Sequence, residues 1–246
     1  MKITLLGTGD AVGTPKIGCS CPACLDALAG GKSRRLRFSV LVESEGKRIL
    51  IDTSPDLRWQ LLKKKISHID AVIWTHSHYD HYAGFGDFYR IQDKVNVYGV
   101  KNTLDYILNY LSFMNPVRHD VSFYEPFELI GLNITLFKVT HPPLEESAGV
   151  MIMDGKSKIV ITGDTARMIP EKSLSIMFEP DLLIADAIIP PRGIVPKHMN
   201  SKEAMELAFE LNAKKVVLTH LSHMFPPHDE SIKEWPLGYD GMEFEF

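Results

Sequence analysis

The chain reads as an α/β protein of the α+β type, folded as a four-layer αββα sandwich in a single domain over residues 1–246. Three observations point there. Short β-rich runs bounded by turn residues recur along the whole length. Amphipathic helical stretches fall between some of them, so two sheets would carry helices on their outer sides. No linker, repeat or low-complexity stretch divides the sequence, and 246 residues suffice to bury a full core.

The elements follow in order. The opening MKITLLG is strand-like, with its apolar run over Ile3–Leu6. Strand patterns follow at Ser39–Glu43 and Arg48–Asp52, and the Glu45-Gly46 pair between them predicts a hairpin. Further strands are expected at Ala71–Thr75, Val95–Tyr98 and Ile134–Val139. Val150–Met153 and Lys158–Thr162 flank Asp154-Gly155, a second hairpin, and Leu182–Ala185 and Lys215–Leu218 complete the set. Helices are expected over Asp56–Lys65, Gly84–Gln92, Asn102–Asn109 and Ser201–Asn212. The last is the clearest, because Ala204, Leu207, Ala208 and Leu211 repeat at helical spacing and Asn200 with Glu203 forms a capping box. Residues 140–147 and 186–200 are Pro-rich and read as loops, the usual walls of a site.

Composition narrows the function. A hydrophobic content of 45% and a charged content of 24% are those of a water-soluble globule. The net charge of −4 offers no footprint for a nucleic-acid polymer. No apolar stretch approaches the ~18 residues of a spanning helix, and the start does not read as a signal peptide, so a cytoplasmic protein with no membrane attachment is expected. All three cysteines lie in Cys19-Ser20-Cys21-Pro22-Ala23-Cys24. An odd, tight trio cannot frame a fold with disulfides and suits a metal in a reducing compartment.

The densest chemistry lies in Trp74-Thr75-His76-Ser77-His78-Tyr79-Asp80-His81, straight after the apolar run Ala71-Val72-Ile73. Three imidazoles and a carboxylate within six positions are a metal-binding set rather than a packing choice. The same context recurs. Apolar strands end at His141, at Asp164 and at His220, and loops at one edge of a sheet can bring such residues to one point. Seven ligands (His76, His78, Asp80, His81, His141, Asp164 and His220) exceed the needs of one tetrahedral zinc. They suit two divalent ions sharing a carboxylate and acting together on an anionic transition state. N/O donors of this kind accept Zn, Mn or Fe.

H-x-H-x-D-H, the later His141, Gly163-Asp164 and Thr219-His220 stand in the order found in the metallo-β-lactamase fold superfamily, which the chain resembles. The resemblance implies the αββα sandwich, with one ion on His76, His78 and His141 and a second on Asp80, His81 and His220. Asp164 would bridge them, and Asp52 would orient the histidine loop. Within the superfamily the chain is similar to PhnP-type phosphodiesterases. Gly7 to Pro15, the C-x-C-x-x-C run, Pro190-Pro191-Arg192, His198, Thr219 to His223 and Gly238 to Glu243 carry that similarity across nearly the whole length. It implies a small knuckle near residues 19–24, holding a structural zinc on Cys19, Cys21, Cys24 and His223. His119 and His228 remain other candidates for the fourth ligand. If residues 220–223 stay extended, His220 and His223 face opposite sides and can serve the two sites separately.

The activity implied is hydrolysis of a small phosphodiester, such as a cyclic ribose or nucleotide phosphate, by a hydroxide bridging the two ions. His198 would protonate the leaving group, Asp80 would belong to the catalytic set, and Arg192 could pair with a phosphate. A homodimer is expected on the same ground. The alternatives are a thioester hydrolase of the same fold and a non-catalytic, PqqB-like carrier protein of cofactor biosynthesis. His68 and His119 read as ordinary surface or turn histidines.

Overall fold

The computed structural model describes residues 1–92 and 94–246. Six strands built early in the chain are β1 (Lys2–Gly7), β2 (Ser39–Ser44), β3 (Lys47–Ile51), β4 (Ala71–Ile73), β5 (Asn96–Gly99) and β6 (Val117–Asp120). Six more follow as β7 (Pro126–Leu129), β8 (Leu132–Lys138), β9 (Ala148–Met153), β10 (Lys158–Ile161), β11 (Leu182–Asp186) and β12 (Val216–Thr219). A last strand, β13 (Glu243–Glu245), returns to pair with β1. The first sheet therefore runs β13-β1-β2-β3-β4-β5-β6, and the second runs β12-β11-β10-β9-β8-β7.

The inner faces of both sheets share one core. Ile49, Ile51, Ala71 and Ile73 of the first sheet meet Ile134, Leu136, Ile159, Ile161 and Ile184 of the second. Alternate residues point outward. Leu50, Val72 and Trp74 pack under α2 (Leu57–Lys64) and α4 (Lys101–Tyr110). Val160, Leu183 and Leu218 pack under α5 (Glu171–Met177) and α6 (Ser201–Glu210). The period-two pattern of each strand thus serves two apolar layers at once, which builds the αββα sandwich.

Both predicted hairpins form, β2–β3 and β9–β10, and α6 carries the predicted capping box, with Asn200 Oδ1 accepting from the amides of Lys202 and Glu203. Several elements differ from expectation. The stretch expected as a helix over Gly84–Gln92 is instead a 3₁₀ helix over Ala83–Phe88. Gly84 there lies so close to the Ser54 carbonyl that a side-chain carbon would collide with it. The edge strands β6, β7 and β13 and the short helices α1 (Pro22–Leu28), α3 (Tyr79–Tyr82), α5 and α7 (His228–Ser231) have no counterpart in the pattern read from sequence. Among the described residues, no helix is long and apolar enough to cross a membrane.

In the first sheet β3, β4, β5 and β6 run parallel, and in the second β10, β11 and β12 do. Their carboxyl ends open on one edge of the sandwich. There Thr75 O accepts a hydrogen bond from Ala148 N, joining the end of β4 to the second sheet.

Candidate active site

The candidate functional side chains come from strand ends and the segments that follow them on that edge. His76 and His78 lie in the turn after β4, and Asp80 and His81 lie in α3, which His78 caps. His141 follows β8, Asp164 follows β10, Asp186 ends β11, and His220 follows β12. Gly163 permits the turn into Asp164, since its φ is +61° and a Cβ would press on the Ala148 carbonyl. His220 itself is left-handed, with φ of +57°. This corrects the expectation that residues 220–223 stay extended: a turn, not strand alternation, separates His220 from His223.

Outer hydrogen bonds fix which ring nitrogens face inward. Asp52 accepts from Thr75 N at 2.8 Å, Thr75 Oγ1 at 2.7 Å and His81 Nδ1 at 2.7 Å. Because the Thr75 hydroxyl is spent on Asp52, His76 Nδ1–H donates to that oxygen at 3.0 Å. His141 Nδ1–H donates to the Lys197 carbonyl at 2.8 Å. His76 and His141 are therefore held with Nε2 as a bare lone pair pointing inward, and His81 likewise turns its Nε2 inward.

These lone pairs meet in two groups that share one carboxylate. His76 Nε2, His78 Nδ1 and His141 Nε2 converge, with His78 3.1 Å from the first and 2.9 Å from the second. Asp164 Oδ2 stands 3.7 Å from His76 and 3.8 Å from His141. A proton on His78 would satisfy one neighbour and leave the other imidazole facing a nitrogen. In the second group Asp80 Oδ2 lies 3.3 Å from His81 Nε2 and 3.6 Å from His220 Nε2, and Asp164 Oδ2 lies 3.3 Å from both. Among the described residues, His81 Nε2 and both His220 ring nitrogens are buried with no hydrogen-bond partner. Buried ring nitrogens without a hydrogen-bond partner, gathered around carboxylates, are an arrangement a divalent cation resolves in exchange for protons, so the donor sets fit two ions with Asp164 between them.

Electrostatics divide the two groups. Burial holds His76 well below its ordinary value and pushes His141 down to about 4, so both stay neutral donors. For His81 and His220 burial also disfavours charge, yet Asp164 together with Asp80 outweighs it. His81 is held well above its usual range and His220 is raised to about 9. That half of the site attracts positive charge.

His198 closes the site from the loop between β11 and α6. Its ring stacks on His220 with centroids 4.9 Å apart and meets His141 edge-on at 4.8 Å. Asp186 Oδ2 accepts from His198 Nδ1 at 2.8 Å, leaving Nε2 as the exchangeable position. Reading the sequence missed Asp186. Its signal is the apolar strand that it ends, which runs to Asp186 rather than to Ala185 as expected from the sequence. Asp186, His198 and His220 are themselves close enough to hold a cation.

A separate cluster brings Cys19, Cys21, Cys24 and His223 together, with His223 Nδ1 3.5 Å from both Cys19 Sγ and Cys21 Sγ. The four donors fit a closed tetrahedral zinc. His119 is elsewhere, stacked on Tyr98 with Nε2 3.0 Å from Asn96 Oδ1, and His68 is exposed near Asp70. His228 accepts from the buried Arg35 at 3.1 Å and is no cysteine partner. Arg192 is exposed and lines a cleft of about 460 Å³ whose walls include none of the histidine-cluster residues.

The β-lactamase superfamily domain matches residues 47–221, which span every histidine-cluster ligand. A Porphyromonas gingivalis protein named octanoyltransferase is 31% identical over 266 residues, covering 99% of this chain and 51% of that protein. The chain thus spans about half the length of that relative. Coenzyme PQQ synthesis protein B of Methylobacterium nodulans is 26% identical, with 98% of this chain and 99% of that one covered. Among solved structures, a new diphosphatase from the PhnP family superposes with a TM-score of 0.89 at 32% identity, covering 100% of this chain and 97% of that one. With its fold, its two-part histidine and aspartate cluster and these relatives in agreement, the chain belongs to the metallo-β-lactamase superfamily, on its PhnP-like side.

Proposed function

We propose that the protein is a dinuclear-metal hydrolase of small phosphodiesters. The observation that carries this reading is the buried Asp186–His198 pair at the rim of the two-part cluster, a proton donor placed beside the point where a bond would break. On this reading His76, His78 and His141 hold one ion, Asp80, His81 and His220 hold the other, and Asp164 is shared. When bound, the two ions supply an acidified water and offset charge growing on phosphoryl oxygens.

The chain's residues do the rest. Asp52 locks the His81 and Thr75 side of the site, and the Lys197 carbonyl locks His141, so the ligands need no reorganisation during the reaction. Asp186 keeps the His198 proton on Nδ1 and thereby presents Nε2 to the leaving oxygen, where a second proton is delivered as the ester bond breaks. Cys19, Cys21, Cys24 and His223 would hold a structural zinc, giving three ions per chain.

The diphosphatase of known structure supports chemistry at phosphorus. The relative named octanoyltransferase favours a second reading, hydrolysis of an acyl thioester by the same site. Protein loaded with Mn²⁺ or Zn²⁺ should turn over bis(p-nitrophenyl) phosphate, and Asp80→Ala should lower the rate at least about 100-fold. Cleavage of an octanoyl thioester with none of the diester, both ions being present, would install the second reading instead.

A further inference from the structure

A cleft of about 560 Å³ opens between α2 and the loop that follows α1, room enough for a small organic molecule. None of the histidine-cluster or cysteine-knuckle donors lines it. One wall is a single face of α2, where Trp59, Leu62 and Lys63 stand at i, i+3 and i+4. Lys32 and Arg34 of the loop line the cleft as well, and Tyr239 and Asp240 come in from near the end of the chain. Hydrogen bonds fix that loop. Asp26 Oδ2 accepts from Ser33 N at 3.0 Å, Gly31 O from Arg34 N at 3.1 Å, and Asp240 Oδ2 from Leu36 N at 2.6 Å.

The charges in the walls are unbalanced. Lys32, Arg34 and Lys63 are exposed, and among the described residues none of them forms an ion pair, whereas their neighbours Arg37 and Lys64 pair with Asp56 and Glu243. The carboxylate in the walls is already engaged, since Asp240 Oδ1 accepts from the amide and hydroxyl of Thr8 at 2.9 and 2.8 Å while Oδ2 holds Leu36. Three unpaired cations thus share a cleft with one engaged anion, in a chain whose net charge is −4. Such a grouping draws in an anion. Apolar surface lies beside the charge. Arg58 sits over the Trp59 ring at 5.3 Å, yet Trp59 is still 62% exposed and Leu62 54%. Lys32 Nζ stands 4.8 Å from the centre of the Tyr239 ring, which holds that ammonium group at the cleft.

We propose that this cleft is a second binding site, separate from the histidine cluster, for a small organic anion built on a flat ring. Lys32, Arg34 and Lys63 would take its oxyanion, a phosphate or a carboxylate, and Trp59 with Leu62 would take the ring. Neither the charge nor the apolar surface suffices alone, because exposed lysines hold a bare anion weakly in water and an indole face accepts any flat molecule. Their meeting in one cleft is what selects the pair of features in one ligand. The site is independent of the reaction assigned to the histidine cluster.

Calorimetry on the metal-loaded protein tests this with 2-naphthylphosphonate and 2-naphthoate. Neutral 2-naphthamide, which lacks the charge, and inorganic sulfate, which lacks the ring, are the comparisons. At least one anion should bind about ten-fold more tightly than either comparison, and the tighter of the two identifies the headgroup. Lys63→Glu and Arg34→Glu should each weaken that binding several-fold, and Trp59→Ala should remove most of the advantage over sulfate. Lys47→Glu, the same charge change on an exposed residue outside the cleft, should leave it unaltered. All four substitutions fall on exposed side chains, so they test binding rather than folding. Binding that resists both reversals belongs to the histidine cluster and overturns the proposal. Failure of both anions to bind, equal binding of naphthamide, or an equal loss in Lys47→Glu overturns it too.

Discussion

In the proposed reaction the proton that a departing alkoxide needs would come from His198, and Asp186, which accepts from its Nδ1, would decide which nitrogen offers it. His198→Ala should therefore slow esters with alkyl leaving groups by about 100-fold or more, and nitrophenyl esters only a few-fold, in steady-state assays. Equal losses on both would remove the acid role. A second residue, His228, carries a pH dependence of its own. Burial, and next the charge of Arg35, lowers it to about 4, so the unfolded chain binds its proton first as pH falls through 6.5. This group's stabilisation is thus complete above that value and lost on acidification toward 4. Wild type should lose about 2 kcal/mol more than His228→Asn between pH 7.5 and pH 5 in denaturant titrations, and parallel curves would show that His228 does not titrate this way. The candidate ligands were legible because His76 to His81 crowd into one short motif and His141, Asp164 and His220 each follow an apolar strand, a rule that extends to Asp186. The left-handed turn at His220 was not, since Thr219-His220-Leu221 contains no glycine or asparagine to announce it and histidine only tolerates positive φ more readily than most residues.

Among elements, the central strands and α6 were readable because apolar periodicity and caps act locally. The unread strands are edges. β6 and β7 are largely exposed and β13 has three residues, so their pairing comes from the sheet rather than from their own pattern. Helices of four to seven residues, such as α7 and α1, fall below the length at which a helix sustains itself. In α1 a Pro sits in the first turn, yet the preceding cysteines matter more, since they tie this helix to His223 across the fold. Cys21→Ser should lower Tm by about 10 °C, the shift that roughly 3 kcal/mol produces in a chain of this size. Unchanged melting with the zinc content reduced by one would show that the knuckle contributes nothing to folding.

At the scale of the molecule, the first sheet supplies His76, His78, Asp80 and His81, and the second supplies His141, Asp164 and His220. Neither sheet holds a full donor set. Metal analysis should find about three ions per chain, falling to about one in Asp164→Asn, because the shared carboxylate serves both groups. Loss of a single ion in that variant would contradict the sharing. The Thr75–Ala148 hydrogen bond links the halves beside the histidine motif, the backbone bonds of Thr8 and Asp10 with Leu221 link them again, and the apolar core between the sheets aligns the rest. The core thereby acts as a vernier for the metal centre. Trimming a methyl group from Ile161 or Ile73, core residues shortly before Asp164 and His76, would let one sheet shift against the other. The affinities for both proposed ions would then fall together with every candidate donor still present. In this architecture, the tuning of the chemistry is stored in the fit of its aliphatic side chains.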